Sequence, residues 1–212
     1  MRNYTFGTLL AVFSLQCNNV GFVDKAKAVV NNEFGVVVFH TNTTGTGDFL
    51  NSAIQFSGLC NGPTGIAKAN CICASEAASQ GFTGTYRAWL SIAGVDAICN
   101  IQGLENTNCS INSELGPFLG KNGSSYSILA ENYSELSATG FKVPLSNSLR
   151  KAYTGTGLNG RNSGGNNCAH FTAAASVGTG GELSQSGNGF TNVLELSCGV
   201  DTGSLVCMKQ TK

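Results

Sequence analysis

Gly84-Thr85-Tyr86-Arg87-Ala88-Trp89-Leu90-Ser91 is the segment on which the reading of this 212-residue chain turns. Its aromatic and aliphatic residues predict a strand over Thr85 to Ser91. Tyr86 and Trp89 flank Arg87, which is expected to point away from both, with Trp89 anchored in the core. Immediately upstream, Thr64 to Gln80 predicts a helix. Ile66, Ala67, Asn70, Cys71, Ala74, Ala77 and Ala78 recur at helical spacing, Thr64 can cap the start and Gly81 can end it.

Working outward, Gly35 to His40 is a β-branched run that predicts a buried strand, and Thr41 to Gly47 a turn or loop. A short helix is expected near Asn132 to Leu136. Thr154 to Asn167 and Ser176 to Gly189 are rich in Gly, Ser and Asn and read as long loops. Asn192 to Cys198 and Ser204 to Met208 read as strands. The fold class expected is α+β, with one or two helices, several strands and long loops.

Composition agrees with that class. Charged residues make up 11% of the chain, against about 25% in an average soluble protein, too few to solvate the outer faces of a helical bundle. The 42% of hydrophobic residues suffices for a core, and the length suits one domain, or one domain with a short stalk. The 12 basic and 12 acidic residues cancel, and no basic run follows a phosphate backbone, so no nucleic acid is expected as a partner.

Nine cysteines mean disulfides in an exported protein and metal or redox chemistry in a cytosolic one. The N-terminus points to export. Phe6 to Leu15 is an apolar run, too short for the roughly 20 residues that span a bilayer and of the length of a signal-peptide core. It ends Ser14-Leu15-Gln16-Cys17, which resembles the lipobox of bacterial lipoproteins. Ser14 and Gln16 stand where the strict pattern has Leu and a small residue, as in looser spirochaetal variants. The organisation expected is therefore a signal peptide over 1–16, a lipidated Cys17 opening a tether over 17–33, and a domain over 34–212. A lipid on Cys17 would anchor the chain to a membrane, each buried CH₂ contributing about 0.8 kcal/mol. It would also leave eight cysteines, an even number.

Residues 71–91 and 153–208 resemble endostatin, the C-terminal domain of collagens XV and XVIII. In that family a Cys-bearing helix runs into a Gly-Thr-Phe-Arg-Ala-Phe-Leu-Ser strand. Here Cys73 lies on the helix and Gly84 to Ser91 follows. Tyr153-Thr154-Gly155, Asn159-Gly160-Arg161, Cys168, Cys198 and Cys207 continue the likeness, and Ile128 to Leu136 is similar to the family's short central helix. The resemblance spans roughly 36–209 and is thinnest over 92–150. With the lipoprotein-like start, the chain is most similar to the leptospiral endostatin-like surface lipoproteins.

The resemblance implies a C-type-lectin-like fold, with antiparallel strands and disulfide-braced loops. It implies two disulfides, Cys73–Cys207 and Cys168–Cys198. The four remaining cysteines then pair locally, by elimination and proximity, as Cys60–Cys71 and Cys99–Cys109. It implies a lipid-anchored protein of the outer membrane or cell surface. The role implied is that of an adhesin for extracellular-matrix glycoproteins such as laminin and fibronectin, and for complement factor H. Zinc, heparin and calcium are not carried over. The chain has only His40 and His170, its arginines Arg87, Arg150 and Arg161 are few, and the Glu-Pro-Asn and Trp-Asn-Asp motifs are missing. No cofactor, metal or catalytic residue is expected.

Several sharper patterns compete with that reading. Gly155-Thr156-Gly157-Leu158-Asn159-Gly160 fits G-x-G-x-x-G, but Leu149-Arg150-Lys151-Ala152 precedes it where a hydrophobic strand is needed, and the Gly/Asn loop Arg161 to Asn167 follows where a helix is needed, so a turn-rich loop is expected. Cys60, Cys71 and Cys73 could ligate zinc, although disulfides are expected. His170 could serve Ser163 or Ser176 as a base, without any nucleophile signature. Glu131 and Glu135 are expected on a solvated helix face. A binding surface is expected on the loops 102–125 and 154–190, whose neutral polar residues suit adaptable contacts. The alternatives to an adhesin are a metal-independent glycan-binding or structural envelope module, and an enzyme of unspecified type.

Overall fold

A computed structural model describes residues 35–49, 60, 62–122, 125–164 and 166–211. The expected signal peptide, the lipidation site Cys17 and the tether over 17–33 lie outside the described residues.

Among the described residues, eight strands form one sheet. They are β1 (Val36–His40), β2 (Tyr86–Ala88), β3 (Phe118–Asn122), β4 (Ser125–Ala130), β5 (Lys151–Tyr153), β6 (Val177–Glu182), β7 (Leu194–Ser197) and β8 (Ser204–Lys209). Their order is β4-β3-β1-β8-β5-β6-β7, with β2 also paired to β8. The helices are α1 (Gly65–Ser79), α2 (Ala97–Asn100) and α3 (Tyr133–Thr139). The class is α+β. The sheet is mixed where antiparallel strands were expected, because β1 runs parallel to β3 and β5 parallel to β8.

The last strand holds the centre. β8 pairs with β1 through Phe39↔Cys207, with β2 through Ala88↔Cys207 and with β5 through Tyr153↔Leu205. Alternate residues enter two separate cores. Val37, Phe39, Leu205 and Cys207 join one with Ile66, Ala69, Cys73 and Ala77 of α1. Val36, Val38, Val206 and Met208 join the other with Ile98, Phe118, Leu136, Phe141 and Phe190. A sheet covered on both faces needs uninterrupted apolar strands, which is why Val36-Val37-Val38-Phe39 and Leu205-Val206-Cys207-Met208 show no polar alternation.

α1 begins and ends on its expected signals. The Thr64 hydroxyl accepts from Ala67 N at 3.2 Å, and the chain leaves the helix at Gly81 with φ of 75°. The predicted strand beyond it is shorter than its apolar run, since only Tyr86–Ala88 joins the ladder. Trp89 N still donates to Val206 O at 2.7 Å and Ser91 N to Thr154 O at 2.8 Å.

Arg87 corrects one expectation. A strand's period is two, so Arg87 shares its side with Trp89 and opposes Tyr86. Tyr86 and Ala88 lie in the α1 core and Trp89 in the other. Trp89 is fully buried, as expected of an anchor. Arg87 turns along the sheet, where its Nε donates to Gln210 Oε1 at 2.9 Å.

Two expected loops also contain strands. Ser176 to Gly189 contains β6, a strand paired on both sides. The expected binding loop 102–125 contains β3, whose Phe118 and Leu119 are buried.

Candidate binding surface

The eight cysteines of the described residues form four disulfides with their expected partners. Cys73–Cys207 spans 134 residues and ties α1 to β8, and Cys168–Cys198 spans 30. Cys60–Cys71 and Cys99–Cys109 close loops of 11 and 10 residues. Cys71 and Cys73 belong to different bridges, so the trio with Cys60 offers no thiolate to zinc. Among the described residues, no group of three or more His, Cys, Asp or Glu is placed to hold a metal.

The G-x-G-x-x-G segment is a turn folded onto the core. β5 precedes it, and on its far side the chain forms a bridge between Thr156 and Asn162 in place of a helix. Its glycine amides are spent internally: Gly155 N donates to Thr179 O, Gly157 N to Arg161 O and Gly160 N to Gly157 O. Gly155 has φ of 58° and Gly160 of 73°. A Cβ on Gly160 would stand 2.8 Å from both Trp89 Cη2 and Ile98 Cβ. These glycines serve close packing, where a phosphate cradle would need outward N–H groups.

Asp96 secures the turn from below. It is 4% exposed, and its carboxylate accepts from Asn162 N and Asn108 N, each at 3.0 Å. That one side chain joins the loop closed by Cys99–Cys109 to the Asn-Gly-Arg turn. The Tyr133 hydroxyl adds a donation to Asn159 O at 2.7 Å, and Arg161 donates to the Asn108 side chain.

The candidate acid–base residues do not meet. His170 is exposed on a left-handed turn, Cys168–Phe171, in which four successive non-glycine residues have positive φ. Ser163 donates to Thr179 Oγ1 at 2.9 Å, and Ser176 points its hydroxyl at Cys198 Sγ, 3.5 Å away. Glu131 and Glu135 both contact Lys142 Nζ at 3.1 Å. The Glu131 amide, then Lys142, hold the Glu135 carboxyl below its ordinary value, so it stays a charged surface group. Burial, above all, lowers the pKa of His40.

The described residues line two open clefts. One, of about 400 Å³, is lined by Pro63, Thr64, Gly65, Ile92, Ala169, His170 and Thr172. The other, of about 360 Å³, lies where the ends of β5 and β8 meet, between Leu149, Arg150 and Lys151 on one side and Val200, Asp201 and Thr202 on the other, with Thr44. Leu149 is 86% and Val200 79% exposed, the two most exposed large hydrophobic residues among those described. Sequence reading passed over this second cleft. Leu149 closes the polar run Ser146-Asn147-Ser148, and nothing local distinguishes an aliphatic side chain that faces water from one that faces the core.

Among the described residues, no helix is long and apolar enough to cross a membrane. No family model matches the chain, and no curated protein matches it.

Proposed function

We propose that this chain is an endostatin-like bacterial surface lipoprotein with the C-type-lectin-like fold, and that it works as an adhesin. It binds extracellular-matrix glycoproteins such as laminin and fibronectin and recruits complement factor H. The observation that carries this reading is the junction of Cys73 and Cys207. The resemblance to endostatin requires the Cys-bearing helix and the final strand to meet beside the Gly84–Ser91 segment, and here the bridged Cys207 stands opposite Ala88 of that segment. Four disulfides in the described residues support export to an oxidising compartment. Neutral, hydrogen-bonding loops support contact with protein surfaces.

The test is the purified, oxidised full chain applied to immobilised laminin, fibronectin and factor H. Saturable binding that disappears on reduction is expected. Binding to none of them, with binding on a glycan array, would replace the adhesin by a metal-independent glycan-binding module. Turnover of ester, peptide or glycoside substrates would replace it by an enzyme.

A further inference from the structure

The cleft between Leu149 and Val200 carries an inference about how a protein partner would be held. Isolated exposed aliphatic residues are ordinary on a protein surface. Here the two most exposed ones line the same cleft, and Arg150 lines it with them.

Arg150 is short of partners. Its Nη1 lies 3.5 Å from Thr41 O and 3.4 Å from Asn42 O, at the outer limit of a hydrogen bond. No carboxylate pairs with it among the described residues, because the nearby ones are engaged elsewhere. Asp201 contacts Lys151 Nζ at 2.8 Å and accepts from Ser197 N at 2.8 Å. The Lys151 contact, then the Ser197 amide, hold its carboxyl below the ordinary range. Glu76 accepts from Asn42 N at 2.7 Å and from Thr43 N at 2.9 Å. Among the described residues, Arg150 thus has no carboxylate in direct contact, and its hydrogen bonds are the two long ones from Nη1.

We infer that this cleft seats an acidic, aliphatic segment of a protein partner. A partner carboxylate pairs with the Arg150 guanidinium, while neighbouring aliphatic side chains cover Leu149 and Val200. The inference rests on reading the chain as a protein-binding surface protein. A guanidinium presents a planar fork that fits a carboxylate through two parallel hydrogen bonds. An apolar border that excludes water strengthens such a pair, and an interface with an apolar centre and polar edge is the usual arrangement. Leu149 and Val200 supply the apolar part of this cleft, and Thr44, Thr202 and the Lys151–Asp201 pair its neutral or paired polar part.

The experiment titrates the isotope-labelled, oxidised full chain with a capped hexapeptide that alternates leucine and aspartate, monitored by backbone amide NMR. Saturable shifts confined to residues 149–151 and 200–202 are expected. Arg150→Gln should weaken binding at least about tenfold, the loss of one charge-assisted pair. The double variant Leu149→Ser, Val200→Ser should weaken it as well, and asparagine in place of aspartate in the peptide should abolish it. Leu149 and Val200 are exposed and Arg150 is half-buried, and unchanged thermal melting will show that the variants fold.

Absent shifts, or binding indifferent to these changes, would overturn the inference. Concentration-dependent shifts of the same amides without peptide would assign the cleft to a second copy of this chain and overturn it too. The same variants on immobilised matrix proteins separate the two readings. Equal binding by wild type and variants keeps the adhesin and removes the cleft as its seat. Peptide binding without matrix binding keeps the cleft and removes the adhesin.

Discussion

The indole Nε1 of Trp89 donates to the hydroxyl of Thr191 across 3.2 Å, with both residues fully buried. The Thr191 hydroxyl passes its own hydrogen to Thr156 O at 3.1 Å. Replacing Thr191 by valine keeps the shape and removes both bonds, leaving a dry N–H and a dry carbonyl. The expected loss is about 2 to 3 kcal/mol, read from urea unfolding monitored by the fluorescence of Trp89, the one tryptophan in the chain. An unchanged midpoint would mean that the hydrogen bond contributes nothing.

The four disulfides should differ in strength by the length of chain they close. Paired cysteine-to-alanine replacement of Cys73 and Cys207, which closes 134 residues, should lower stability by about 5 kcal/mol. The same change at Cys99 and Cys109, separated by 10 residues, should lower it by about 3 kcal/mol. Equilibrium unfolding of the two double variants measures this ordering, and the reverse order would refute the chain-entropy account for this fold.

Gly160 and Gly157 sit three residues apart in one turn but should respond differently to alanine. At Gly160 φ is 73° and the new Cβ would meet Trp89 and Ile98 at 2.8 Å. Gly160→Ala should therefore destabilise by about 2 to 4 kcal/mol, from backbone strain and overpacking together. At Gly157 the nearest atoms to a Cβ stand 3.6 Å away, so Gly157→Ala should be nearly neutral. Thermal melts of the two variants side by side give the answer. Equal losses would show that the turn does not rest on Trp89.

Tyr153 sets an alkaline limit. Burial, then the Asp201 carboxylate, push its phenol from 10.0 up to about 12. Because the folded value lies above the unfolded one, the contribution of the neutral phenol is fully present below pH 10.0 and declines as the pH rises towards about 12. Tyr153→Phe removes that decline, together with the bonds to Ser197 O and Asp201 O. Stability curves of the two proteins should converge across this window. Parallel curves would mean that Tyr153 titrates no differently folded than unfolded.

How much of the fold was legible in the sequence depends on where each signal resides. α1 was legible because its cap and its stop are local: Thr64 and Gly81 act on their own neighbours. β1 and β8 were legible because burial on both faces writes an unbroken apolar run. β6 was not. Its glycines read as a loop, but they are there because the space is taken. A Cβ at Gly178 would meet Cys168 Sγ at 2.7 Å, and one at Gly181 would collide with the Phe190 carbonyl. The cleft beside Arg150 was not legible either, because its two walls come from segments about fifty residues apart that meet where β5 pairs with β8.

The central place of β8 has a bearing on biogenesis. A ribosome or translocation channel delivers the chain from its beginning, so β1, β2 and β5 all emerge before the strand that joins them. Until residue 204 arrives, three ladders lack their common partner and Cys73 lacks its sulfur mate. The β4-β3-β1 and β5-β6-β7 ladders need no β8 and can pair before it emerges, so the final strand is left to join the two halves and to bring Cys207 to Cys73.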